Sequence, residues 1–316
     1  MKKDRNIYLD GIMGVVVGDA LGVPVEFSYR YELKEDPVVG MRAYGTYNLP
    51  EGSWSDDSSM TLATLDSLKD GYDLDDIMMK FAEWMNEGKY TPFGETFDIG
   101  NGTSRAIIRY LHTGNVHTCG GKTERDNGNG SLMRIMPICL YCYDDFRNRK
   151  ISERDAIEMI HDISALTHNH MRSKIACGLY YFMVKSILEN TGTLQEKLQS
   201  GLDEGFKLYS DEPEVVNYFR MRDLDTFKNT EEKSIRSSGY VVDSLEAAVW
   251  CLLNTDTYKD AVLKAVNLGS DTDTVAAIAG GLAGLHYGHD GIPDEWLNVI
   301  QRIDWIEGLL TNEAEI

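Results

Sequence analysis

Prolines are scarce, seven in 316 residues, and they nowhere gather with glycine and serine into a tract at which the chain would divide. The expectation is one domain over 1–316. Cysteines are few as well: Cys119, Cys139, Cys142, Cys177 and Cys251 form an odd set without zinc-ribbon spacing, mostly inside apolar runs. That pattern excludes a disulfide framework and leaves reduced packing residues. Basic residues are outnumbered 31 to 51, for a formal charge of -20. Such a field repels a phosphate backbone and excludes nonspecific binding to long nucleic acid, but a small phosphate-bearing molecule can still be held by local backbone N–H groups or cations. No apolar run is read as reaching membrane-spanning length, and Asp4, Asp10 and Asp19 interrupt any leader that Met1-Lys2-Lys3 would open. A cytoplasmic protein without a membrane partner is expected. Repeats of fixed period are also missing, which excludes a solenoid.

What the chain does contain is helical periodicity on a 42% hydrophobic composition, enough for a sizeable core. Apolar positions three and four apart predict helices over 7–21, 58–69, 74–87, 103–112, 131–143, 152–166, 171–189, 194–207, 241–254, 258–267, 273–287 and 293–309. Alternating strands are rare, so the fold class expected is all-α, a compact single-domain bundle of many helices. Three connections, about 22–54, 88–102 and 113–130, are long and rich in Gly, Thr and Asn, where function tends to sit. The charged, weakly periodic segment 209–236 reads as a surface excursion with room for a short helix.

Two acidic clusters stand at helix starts. Ser55-Asp56-Asp57-Ser58 precedes MTLATLDSL, and Asp271-Thr272-Asp273-Thr274 precedes VAAIAGGLAGL. Either cluster alone is explained by capping of free N–H groups. Brought together, the carboxylates would repel one another, and a pair of divalent cations would neutralise them. Oxygen ligands without imidazole or thiolate favour Mg2+ or Mn2+ over zinc. The glycines of Ala276–Gly284 cost about 1 kcal/mol each relative to alanine in a helix, so close packing or function has to compensate.

Polar loops add weaker signals. Asn127-Gly128-Asn129-Gly130-Ser131 precedes an expected apolar helix from Leu132, where bare N–H groups would suit a pyrophosphate, although a plain turn has the same composition. Arg134 reads equally as positive charge for a ligand or as a structural ion pair. Phe97–Thr103 has similar chemistry. His168 and His170 lack a third partner for zinc and remain open between ligand contact and capping. Tyr240 suits stacking on a base or ribose, or simple burial.

Taken in order, GIMGVVVGDALGVPVEF (11–27), GSWSDDSSMTL (52–62), FDIGNGT (97–103), NGNGSLMRIMPI (127–138), LTHNH (166–170), SGYVVDSLEAAVW (238–250) and LGSDTDTVAAIAGGLAGLHYG (268–288) resemble the ADP-ribosylglycohydrolase family across nearly the whole chain. The resemblance implies an all-helical domain with a two-metal cleft, and hydrolysis of the bond at ribose C1'' of an ADP-ribosylated protein or small molecule to release ADP-ribose. It implies Ser55, Asp56 and Asp57 as one metal-ligand group, with Ser55 where Thr is usual, and Asp271, Asp273 and Thr274 as the other. Glu26 matches a family glutamate on a mobile loop, and Glu26, Asp56 and Asp273 are the residues expected in catalysis. Asp98, Gly100, Gly130, Ser131, Met133, His168 and Tyr240 would surround ADP-ribose. Two alternatives use the same residues: a silent ADP-ribose-binding relative, like the lens crystallins that resemble this family, or a hydrolase of another ribosyl compound.

Overall fold

Periodicity becomes helix where the sequence also supplies an end. The computed structural model describes residues 6–311, which form α1 Ile7–Gly22, α2 Arg30–Glu35, α3 Asp56–Leu68, α4 Leu74–Glu87, α5 Asn101–Thr113, α6 Val116–Cys119, α7 Met136–Arg147, α8 Glu153–Ala165, α9 Met171–Glu189, α10 Leu194–Leu208, α11 Leu224–Lys228, α12 Val241–Leu253, α13 Tyr258–Val266, α14 Thr272–Tyr287, α15 Asp294–Leu297 and α16 Ile303–Thr311. Among the described residues there is no strand, only isolated bridges, so the fold is all-α. Asn6 starts α1 by accepting from the Tyr8 and Leu9 N–H groups, and left-handed Gly88 and Gly114 end α4 and α5.

The core is organised around α1 and α14. Both are apolar on every side, and Asp10–Gly22 and Thr272–Leu285 are buried throughout; helices of that kind belong inside a protein. They meet along a seam of glycine. A Cβ added at Gly14 would lie 2.3 Å from the Gly280 carbonyl oxygen, one at Gly18 2.3 Å from that of Ala276, and one at Gly22 2.4 Å from the amide nitrogen of Asp273. Gly280 and Gly284 of α14 are explained by the same backbone contact, with the carbonyls of Gly14 and Asp10, and Gly281 by close side chains of Tyr180 and Met136, which offsets their poor helix propensity. Gly18→Val is expected to destabilise the protein by about 3 kcal/mol or more through overpacking. An unchanged urea midpoint would remove the close-contact account.

Around this pair, α12 and α13 flank α14, while α3 and α7 lie on α1 and α9 links the centre to α8 and α10. The outer helices are amphipathic; α4, for example, buries Ile77, Met78, Phe81, Ala82 and Trp84. All five cysteines are free and buried, as expected for packing residues.

Several sequence expectations are corrected. Residues 7–25 are, by length and composition, long and apolar enough to cross a membrane, contrary to the reading that no run reaches that length; here 83% of that stretch's apolar window is buried within the fold. The helix expected over 131–143 begins only at Met136, with Pro137 in its first turn, so Ser131 to Arg134 form turns outside it. The helix expected over 293–309 is broken into α15 and α16, because Gln301 donates its N–H to the Gly52 carbonyl and Arg302 takes φ 52°. The excursion 209–236 does hold short helix, in keeping with the room expected for one: a 3-10 helix, Pro213–Arg222, and α11. Met1, Lys2, Lys3 and Asp4, part of the reading against a leader, lie outside the described residues.

Candidate metal centre and cleft

The start of α3 and the start of α14 meet, 217 positions apart in the chain, where the Thr274 hydroxyl donates to Asp57 Oδ2 over 3.2 Å. Ser55, the N-cap of α3, donates its hydroxyl to the same oxygen, also over 3.2 Å. Carboxylate oxygens of Asp19, Asp57 and Asp273 lie within 4.8 Å of one another, and so do those of Glu26, Asp271 and Asp273. Asp273 belongs to both groups. Its two carboxylate oxygens, and Asp57 Oδ1, are buried and accept no hydrogen bond. Native interiors rarely leave polar atoms in that condition unless something else satisfies them.

Electrostatics point the same way. Burial pushes Asp56, Asp57 and Asp273 well above the usual carboxylate range, and neighbouring carboxylates push them further. Burial also raises Asp271, against the opposing hydrogen bond from Asn129 Nδ2 to its Oδ2 at 2.8 Å. Glu26 is raised to about 9, first by burial and next by Asp98; the Tyr47 hydroxyl donates to its Oε2 at 2.6 Å and works in the opposite direction. Such a cluster is stable as an anion only with cations in it.

Sequence reasoning missed Asp19 as a site residue. It projects from α1 one residue after Gly18, is fully buried, and accepts the N–H groups of Ser55 at 3.0 Å and Ser58 at 2.9 Å. It therefore caps α3 from another helix and fixes the Ser55–Asp57 turn beside Asp273. The available signal was an acid embedded in the apolar run VVVGDALG, where a charge needs a reason. Asp19→Asn is expected to halve the capping capacity at Ser58 and lower metal affinity about tenfold or more, as loss of a supporting partner does. Unaltered affinity by calorimetry would reduce Asp19 to packing.

A cleft of about 410 Å³ opens from this cluster. Glu26, Asp56, Asp271 and Thr274 line it together with Asp98, Gly100, Gly130, Met133 and His168, and with Phe27, Gly102, Gly128 and Asn129. Three non-glycine residues beside or within it have left-handed backbone: Phe27 at φ 66°, Asp98 at 52° and Ser270 at 67°. Two of these are interlocked, the Phe27 N–H donating to the Ser270 carbonyl at 2.7 Å and the Ser270 N–H to the Ser28 carbonyl at 2.9 Å. Strain of this kind persists where surrounding bonds over-determine it, typically at functional sites. It ties the Glu26 loop to the Asp271 loop.

Two expected ligand residues point elsewhere. The Ser131 hydroxyl is fully buried between Ser164 Oγ, at 3.0 Å, and Cys177 Sγ, at 3.7 Å. The Tyr240 hydroxyl is engaged by Arg172 Nη1 at 3.0 Å, and only its neighbour Gly239 lines the cleft. Asp56 lines the cleft without joining either three-carboxylate group. The loop 127–131 does not stand at a helix start, since α7 begins later; its shape is held instead by the Asn129 N–H donating to the Gly239 carbonyl at 3.0 Å and the Val241 N–H donating to that of Asn127 at 3.0 Å.

Comparison with known proteins agrees with the geometry. The profile of the ADP-ribosylglycohydrolase family matches residues 2–315. The chain is 32% identical to the ADP-ribosylarginine hydrolase Tri1 of Serratia proteamaculans, over 94% of this chain and 76% of that one. It is likewise 32% identical to the ADP-ribosyl-[dinitrogen reductase] glycohydrolase of Rhodospirillum rubrum, over 92% and 88% of the two chains. A solved ADP-ribosylglycohydrolase-related protein complex superposes with a TM-score of 0.80 at 28% identity, covering 99% of this chain and 98% of the other.

Proposed function

Because the chain belongs to the ADP-ribosylglycohydrolase family, and is thereby a hydrolase of glycosidic bonds, we propose that it cleaves the bond at ribose C1'' of an ADP-ribosylated target, with arginine as the linked side chain, and releases ADP-ribose. The meeting of Asp57 and Thr274 around carboxylate oxygens that lack hydrogen bonds is the observation that carries this reading. Ser55, Asp56, Asp57, Asp271, Asp273 and Thr274 would hold two divalent cations, Mg2+ or Mn2+. The donor set fits hard ions, being oxygen throughout and too crowded with negative charge to stand alone. Bound there, the cations would supply Lewis-acid orientation of the ribose hydroxyls next to the scissile bond.

The remaining steps belong to the chain. The glycine-lined part of the cleft accommodates the diphosphate, and the carboxylates stabilise positive charge as the ribose becomes oxocarbenium-like. Glu26, on the cleft wall and fixed by the Tyr47 hydroxyl at its Oε2, gives a proton to the departing nitrogen, and a water adds to C1'' and returns its own proton to Glu26. The arginine linkage draws support from the hydrolase of ADP-ribosylarginine among the relatives.

Incubation with arginine-, serine- and glutamate-linked ADP-ribosyl peptides in Mg2+ or Mn2+, followed by mass, tests this. Release from the arginine-linked peptide, lost in EDTA, is expected. No release from any of the three would overturn the reading.

A further inference from the structure

A buried cation near the cleft has no part in that chemistry. Arg134 is fully buried, makes no ion pair among the described residues, and lies over the face of Phe81 with its guanidinium carbon 4.6 Å from the ring centre. Burying a guanidinium without a carboxylate is unfavourable unless its hydrogen bonds accomplish something. One of those bonds reaches the cleft wall at Gly130, and another reaches Thr167, the chain neighbour of the cleft residue His168. Nε donates to the Gly130 carbonyl at 3.1 Å, and Nη2 donates to Thr167 Oγ1 at 2.7 Å and to the Ile163 carbonyl at 3.4 Å.

Thr167 Oγ1 lies in turn 2.8 Å from His168 Nδ1. A guanidinium has only donors, so the threonine oxygen accepts from Arg134; His168 Nδ1 is its one other hydrogen-bond partner among the described residues, and the buried hydroxyl's hydrogen is satisfied only by donating to it. A neutral imidazole that accepts at Nδ1 carries its proton on Nε2. The ring is neutral, since burial, with Arg134 next, pulls it down to about 3. Nε2 is also the atom turned toward the glycines: a Cβ at Gly102 would stand 3.1 Å from it, and one at Gly128 or Gly130 3.4 Å. These glycines line the cleft together with His168.

We infer that Arg134 is a positioning residue which, through Thr167, locks His168 in the Nε2–H tautomer and so presents a neutral N–H donor to an anionic diphosphate oxygen in the cleft. The opposite tautomer would aim a lone pair at that oxygen and repel it. The inference rests on the cleft being the ADP-ribose site, and it adds how the residue that meets the phosphates is set.

The test uses the full chain labelled with 15N-histidine, as wild type, Thr167→Ser and Thr167→Val; valine replaces the hydroxyl by a methyl of similar size. Ring-nitrogen shifts report the His168 tautomer, and calorimetry with ADP-ribose reports affinity. Wild type and Thr167→Ser should show the Nε2–H form and bind within about threefold of each other. Thr167→Val should lose that single tautomer and bind about tenfold or more weakly, the effect of losing a hydrogen bond to a charged group. A wild-type Nδ1–H form, or Thr167→Val with unaltered tautomer and affinity, overturns the relay alone. A wild type that binds no ADP-ribose at millimolar concentration sinks the reading of the cleft and this inference with it.

Discussion

Asp273→Asn is expected to slow release of ADP-ribose by about a thousandfold or more, and at the same time to raise the melting temperature measured in EDTA at pH 8. The first effect follows from position. Asp273 is shared by both carboxylate groups and has two buried oxygens without hydrogen-bond partners. A neutral amide there removes charge that a divalent ion needs, and electrostatic assistance worth several kcal/mol corresponds to about three powers of ten in rate. The second effect follows from crowding. Without cations Asp273 faces Glu26, Asp57, Asp271 and Asp98, all of which oppose its ionisation. An asparagine relieves the repulsion and brings N–H donors among carboxylate oxygens that lie within 4.8 Å of one another. Initial rates together with melts in EDTA check both; wild-type turnover, or a melting temperature that drops, would contradict the assignment. The double variant Asp56→Ala, Asp273→Ala should take up no metal at all.

For the unaltered protein in chelator, thermal stability should fall as pH rises from 5.5 to 8, and saturating Mg2+ or Mn2+ should restore several degrees at pH 8 but much less at pH 5.5. Folding raises these carboxyls above their unfolded values, Asp19 to about 6 and Glu26 to about 9, with Asp56, Asp57 and Asp273 also well above the usual range. Between about pH 4 and those folded values the native chain holds protons that the unfolded chain has released, so each unit of rising pH favours unfolding. Below that window these groups contribute nothing to the slope. Cations compete with the protons for the same oxygens, and at a hundred times Kd binding adds about 2.7 kcal/mol of stability. Calorimetric scans at the two pH values, with and without metal, measure the difference. Equal metal-induced shifts at both would show that the carboxylates titrate normally and that no charge cluster exists.

Much of the site could be read from the residues because its chemistry lies in short contiguous groups. Ser55-Asp56-Asp57 and Asp271-Thr272-Asp273-Thr274 announce themselves as helix starts, and the structure makes them the starts of α3 and α14. Asp19 was hidden because its role depends on α1 crossing the end of α3, which no local pattern encodes. The late start of α7 had a signal that periodicity overrode, since proline belongs in a helix's first turn and Pro137 lies well inside the expected 131–143. For 209–236 the expected room for a short helix is filled, and its type had a signal. Val215, Tyr218 and Met221 are buried and recur every third residue, the repeat of the 3-10 helix found over Pro213–Arg222 rather than of an α-helix. Breakage near residue 300 had no such signal, because it is imposed by contact with Gly52.

The glycine seam between α1 and α14 also sets an order of events during synthesis. Asp19, Asp56 and Asp57 leave the ribosome before α14 does, so α1 lacks its partner backbone and Asp57 lacks Thr274 until the 217 positions that separate that pair have been made. Up to that moment the nascent chain exposes an apolar N-terminal helix with nothing to cover it, a stage at which chaperone binding or misassembly competes with folding. The acidic cluster is complete only once α14 docks.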